Sequence, residues 1–90
     1  MPRVQLPSGL RALAGDRAEH QVPGATVGEV LAGLVARHAA LGPKLFDERG
    51  QLKRYVNVFV GEDDVRALEL LETRVGADAV LVLVQAIAGG

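Results

Sequence analysis

The sequence predicts an α+β domain of two layers: a mixed sheet of four or five strands with one main helix packed across one face. Three observations carry this. Residues 26–39 place apolar side chains at helical spacing. "YVNVFV" at 55–60 and "AVLVLV" at 79–84 are valine-rich runs of strand length. The order is hairpin, helix, strand, short segment, strand, so the last strand must pair with an early one and the sheet is mixed. Ninety residues make one domain, near the small end of chains that fold alone. Hydrophobic residues are 49% and aromatics 3%, so one core is built from Val, Leu and Ala.

The opening "RVQL" at 3–6 alternates polar and apolar as a half-buried strand does. Pro7, Ser8 and Gly9 interrupt it, and "LRAL" at 10–13 reads as a continuation or a short second piece. "AGDR" is a turn by composition, and "AEHQV" at 18–22 is the returning strand of a hairpin. Thr26 is a good N-cap, and Glu29, three residues on, completes a capping box. Val27, Val30, Leu31, Leu34 and Val35 then share one helical face. Arg37 and His38 suit the negative end of the helix dipole, and Gly42-Pro43 is a stop. Gly28 and Gly33 weaken a helix, which points to close packing of this one on a sheet. "PKLF" allows one short helical turn, and "DERGQLKR" is polar loop. In "YVNVFV", Val56, Val58 and Val60 take one face, with Tyr55, Asn57 and Phe59 on the other. "GEDDVR" turns into a short strand or loop, and "LELLETRVGAD" is irregular or a short helix. "AVLVLV" is apolar on both faces, so both are covered or one waits for a partner.

Composition excludes several function classes. A net charge of −1 argues against a nucleic-acid or anionic-membrane partner. The absence of cysteine removes disulfides, thiolate metal sites and a Cys nucleophile, and two histidines far apart in sequence argue against a His metal site. "MPRVQLPSGL" lacks the apolar core of a signal peptide, and no segment is long enough to span a bilayer, so a cytoplasmic protein, monomeric when free, is expected. "GEDDV" groups three carboxylates without the spacing of a calcium loop and reads as a solvated turn. His20 and His38 read as structural or exposed, with no nucleophile or base partner. No metal site is expected.

The last feature is the end, "AIAGG". The layout above, closed by Gly89-Gly90, resembles the ubiquitin-like β-grasp sulfur carriers, the family of the thiamine-biosynthesis carrier and the small subunit of molybdopterin synthase. The likeness is nearest to the actinobacterial carriers that serve cysteine biosynthesis. It rests on "RYVNVFVGEDDVR" at 54–66, "VGADAVLVLVQAIAGG" at 75–90 and the helix entry "TVGEVLAGL". The resemblance divides the chain into a β-grasp domain, residues 1–85, and a flexible tail, residues 86–90. Many relatives carry proline between the last strand and the diglycine, where this chain has Val84-Gln85-Ala86.

The resemblance implies a protein co-substrate, not an enzyme. The Gly90 carboxylate is ionised at neutral pH and a poor electrophile. In the family it is adenylated with ATP by an E1-like adenylyltransferase and sulfurtransferase, then converted to a thiocarboxylate. A sulfur-accepting synthase follows, pyridoxal-phosphate-dependent in the cysteine route, and the carrier itself binds no cofactor. Ile87, Ala88 and Gly89 lead to Gly90 in the arm "AIAGG", residues 86–90. Its five residues extend ~3.3–3.6 Å each, on the order of 17 Å in all, and glycine has no Cβ to collide with a narrow entrance. If the valines face the helix, Phe59, Leu81 and Leu83 form an exposed apolar docking patch beside the tail. Arg54, Arg66 and Arg74 read first as solvated residues, with a charged rim as the alternative. Sulfur donation to molybdopterin, thiamine or a thiolated metabolite stays open, as does a ubiquitin-like modifier whose Gly90 ends in an isopeptide bond. A β-grasp binding module with inert glycines is the third class, disfavoured by a chain that stops at Gly-Gly.

Overall fold

A computed structural model describes residues 1–85. Five strands form one mixed sheet in the order β2-β1-β5-β3-β4. They are β1 (Arg3–Gln5), β2 (Glu19–Gln21), β3 (Val56–Val60), β4 (Asp63–Asp64) and β5 (Val80–Gln85). β5 pairs parallel with β1 and antiparallel with β3, so the final strand sits at the centre beside the first. This is the expected two-layer α+β fold, a ubiquitin-like β-grasp.

The main helix, α2 (Val27–Arg37), begins where the capping box places it. Thr26 Oγ1 accepts a hydrogen bond from Glu29 N at 3.1 Å. The Glu29 carboxylate accepts from Ala25 N at 3.0 Å, one residue before the usual partner in a capping box. Val27, Val30, Leu31 and Leu34 are buried against the sheet. The helix ends at Arg37, earlier than Gly42-Pro43 suggests. His38 caps it in a non-helical conformation, and a 3₁₀ turn (Ala39–Leu41) leads into α3 (Gly42–Leu45), with Pro43 in its first turn. Leu41 and Leu45 then enter the core.

"LRAL" is not a strand continuation. Residues Ser8–Arg11 form α1, followed by a 3₁₀ turn at Ala12–Ala14. Pro7 has no N–H to offer a ladder, and its carbonyl accepts from Leu10 N at 3.0 Å to start the turn. Coiling brings both Leu10 and Ala14 into the core. Gly15 and Asp16, both at positive φ, then reverse the chain into β2.

The close approach implied by Gly33 is present. A Cβ there would meet Val22 Cγ1 at 2.8 Å, and Val22 is fully buried at the end of β2. Gly33→Ala would improve helix propensity by about 1 kcal/mol. Overpacking a β-branched neighbour with one preferred rotamer typically costs about 1–3 kcal/mol. A net loss of stability is expected, read as a lower urea midpoint with an unchanged m-value.

One expectation is overturned. Leu81 and Leu83 are 0% and 2% exposed and lie in the core, not on the outer face. The register explains it. Val58 stands opposite Leu83 and Val60 opposite Leu81, while Phe59 stands opposite Val82. Directly opposed residues share a face, so the β3 valines share theirs with the β5 leucines. β1 agrees: Val4, buried between exposed Arg3 and Gln5, pairs with Leu81. Each leucine hides one more methylene than valine, worth about 0.8 kcal/mol, which favours this parity over the reverse.

Candidate functional site

The outer face of the sheet carries a strip of apolar residues with polar margins. Val80, Val82 and Val84 line it along β5, with Phe59 beside Val82 and Asn57 beside Val84. Phe59 lies on this face, as expected, but is half-buried rather than exposed, and Val84 is 40% exposed. The docking patch read from sequence thus keeps Phe59, loses Leu81 and Leu83 to the core, and gains Val82 and Val84.

The two margins differ electrostatically. On the β1–β2 side, Arg3 lies 4.0 Å from Glu19, and Gln5 Nε2 donates to the same carboxylate at 3.3 Å. On the β3–β4 side, Arg66 Nη1 donates to Asn57 Oδ1 at 2.6 Å. Its Nη2 donates to the carbonyls of Lys53 and Arg54, at 3.1 and 3.3 Å. Arg66 is exposed, as the sequence suggested, and its guanidinium is also held in place. Nothing local signals this, since its acceptors lie 9 to 13 residues away. Arg54 and Arg74 are exposed, and Arg74 sits in an isolated bridge with Thr26.

Of the residues set aside on sequence, "GEDDV" is a turn at Gly61-Glu62 that runs into β4. Gly61 has φ +63°, and Asp64 Oδ1 accepts from Arg66 N to cap a 3₁₀ turn at Val65–Ala67. His20 and His38, distant in sequence, meet edge to face with ring centroids 5.1 Å apart. His20 Nε2 lies 3.1 Å from Arg17 O, and the ring is nearly buried. The pair packs β2 against the end of α2. No cluster of three or more His, Asp or Glu side chains fit to hold a metal occurs among the described residues.

β5 ends beside α1. A Cβ on Gly9 would lie 2.9 Å from Gln85 Oε1, so the first helix abuts the last described residue. Ile87, Ala88, Gly89 and Gly90 lie outside the described residues.

A model of the ThiS family matches residues 4–90, a span that includes both terminal glycines. The chain belongs to the ThiS family. Among the curated relatives of this ThiS-family chain is the sulfur carrier protein CysO of Mycobacterium tuberculosis, 32% identical over 89 residues, 97% of this chain and 96% of the relative. The Amycolatopsis orientalis CysO chain, solved in a BexX/CysO complex, superposes with a TM-score of 0.92 at 34% identity, with 100% of both chains covered. Small archaeal modifier protein 1 of Methanosarcina acetivorans superposes at 0.85 with 28% identity, covering 99% of this chain and 95% of that one. The chain is a sulfur carrier of the ThiS type, and its homologues are small carrier proteins rather than enzymes. No described helix is long and apolar enough to cross a membrane.

Proposed function

We propose that this protein delivers sulfur as a thiocarboxylate on Gly90, and that the recipient pathway is cysteine biosynthesis in the cytoplasm. The observation that carries the proposal is the family match through Gly90, joined by full-length likeness to CysO proteins. A carboxylate oxygen of Gly90 attacks the α-phosphorus of ATP on an E1-like enzyme, forming an acyl-adenylate and releasing pyrophosphate. A sulfur nucleophile supplied by that enzyme's donor then attacks the acyl carbon, and AMP leaves with the C–O bond. The thiocarboxylate sulfur would then bond to the β-carbon of a serine whose hydroxyl has been activated as a leaving group, and that group would depart with the Cβ–O bond on a pyridoxal-phosphate-dependent synthase. Ile87, Ala88 and Gly89 carry the reacting group into each partner. Phe59, Val82 and Val84 form the docking face.

The test incubates the full chain with an E1-class activating enzyme, ATP and a sulfide source, and records intact mass. A gain equal to sulfur replacing oxygen supports the reading, and an unchanged mass overturns it. Likeness to an archaeal modifier protein favours conjugation as a second reading. That would show as a gain of a whole protein's mass.

Docking has its own expected result. Phe59→Ala removes the largest side chain of the strip, and interface aromatics are frequent hot spots. Association with the activating enzyme falls by about tenfold or more, while the melting temperature moves little because the ring is half-exposed. Unchanged affinity removes Phe59 from the interface.

A further inference from the structure

We infer that the partner docking on the outer face presents a carboxylate beside its apolar anchor, and that Arg66 receives it. The inference rests on the docking reading above and adds the chemistry of the partner. Three hydrogen bonds hold the Arg66 guanidinium, and every acceptor is uncharged: Asn57 Oδ1 and the carbonyls of Lys53 and Arg54. Among the described residues, Arg3–Glu19 is the one ion pair, and it lies on the opposite margin. Asp64 spends Oδ1 on the Arg66 backbone N–H. Asp47, Glu69 and Glu72 line a groove with Arg54 and Arg66, and none forms an ion pair with either guanidinium among the described residues.

Arg66 therefore places a pre-oriented cation, with no carboxylate in salt-bridge contact among the described residues, at the edge of the apolar strip. Asn57 stands two residues from Phe59 and opposite Val84, so its hydrogen bond ties the guanidinium to the face that carries both. A guanidinium carries five N–H donors in a planar fork, and three of them are engaged here. The two donors left, Nε–H and one on Nη1, lie on different edges of the plane, so a carboxylate takes one of them beside the full positive charge, and the side chain is already ordered in the free protein. The opposite margin is neutralised internally by Arg3, Gln5 and Glu19. A partner with one acidic group beside an apolar anchor therefore docks in one orientation, the use of interface charge that most affects specificity and on-rate.

The experiment measures binding of the full chain to the BexX protein of Amycolatopsis orientalis at several salt concentrations, with the melting temperature of every variant. Arg66→Met is expected to weaken binding on the order of tenfold and to flatten its salt dependence. Arg66→Lys keeps the charge and loses the three hydrogen bonds that hold it in place, so the salt dependence returns with only part of the affinity. Arg66→Glu repels the carboxylate and binds more weakly than Arg66→Met. A purely internal role for Arg66 predicts lower melting temperatures with unchanged affinity and salt dependence for the folded variants, and that result overturns the inference. If Phe59→Ala loses affinity while all Arg66 variants bind normally, the docking face stands and the carboxylate is refuted. If BexX ignores the unaltered protein, the docking reading and the inference fall together.

Discussion

Leu83→Asp unfolds the protein, and Val84→Asp, one residue along the same strand, leaves it folded. Leu83 is 2% exposed and faces Val58 across the pair, whereas Val84 is 40% exposed on the other side of the sheet. Truncating a buried leucine to alanine alone costs about 2–5 kcal/mol. A carboxylate adds the cost of burying an ionisable group with no partner, several kcal/mol more. A typical domain holds only about 5–15 kcal/mol in total, and a chain this short buries a smaller fraction of its surface than most. The aspartate therefore removes most or all of the stability. Circular dichroism with thermal melting checks the pair, and Leu83→Ala gives the graded version. At about 4–8 °C per kcal/mol for a domain of this size, the alanine variant melts roughly 10 °C or more below the unaltered protein. Unfolding by Val84→Asp with tolerance of Leu83→Asp would invert the assignment of faces.

That contrast marks where the sequence stopped being informative. β1 reveals its face because Val4 stands between Arg3 and Gln5, and only one parity can be buried. β5 is apolar at both parities from Val80 to Val84, so its inward face is set by register, a long-range property. The helix was legible for the opposite reason. Thr26, Glu29 and the apolar spacing act within a few residues, and the cap hydrogen bonds form where that spacing puts them. The short α1 lacked such signals, because four residues carry barely one turn and no side-chain cap. Its coiling is imposed by burial of Leu10 and Ala14. The His20–His38 contact and the Arg66 clamp depend on tertiary placement and leave no local trace. The family resemblance supplied the chemistry of Gly90, which no periodicity in the chain encodes.

Deletion of Gly90 abolishes thiocarboxylate formation and leaves the melting temperature unchanged. The stability half follows from the core. Sixteen hydrophobic side chains, from Val4 to Leu83, form the buried cluster of the described residues, and a glycine has no side chain to add to such a core. The chemical half follows from reach. Removing one residue draws the carboxylate back by about 3.5 Å. The acyl carbon must meet the α-phosphorus of ATP and then a sulfur nucleophile, and a misplacement near 1 Å can already cost a rate factor on the order of 100. A bulky residue at Gly89 fails differently. The carboxylate stays in place, but a side chain now has to pass an entrance that fits a residue without a Cβ. The two variants are separable kinetically. The deletion should lower the rate at saturating protein, while a Gly89→Leu change should also raise the concentration needed for half-maximal rate. Intact mass after incubation with the activating enzyme, ATP and sulfide gives the yield, and a melting curve of each sample gives the stability. Normal sulfur gain by the Gly90-deleted chain would show that the reactive carboxylate does not have to sit at position 90. A fall of several degrees in melting temperature would show that the last residues support the fold as well as the chemistry.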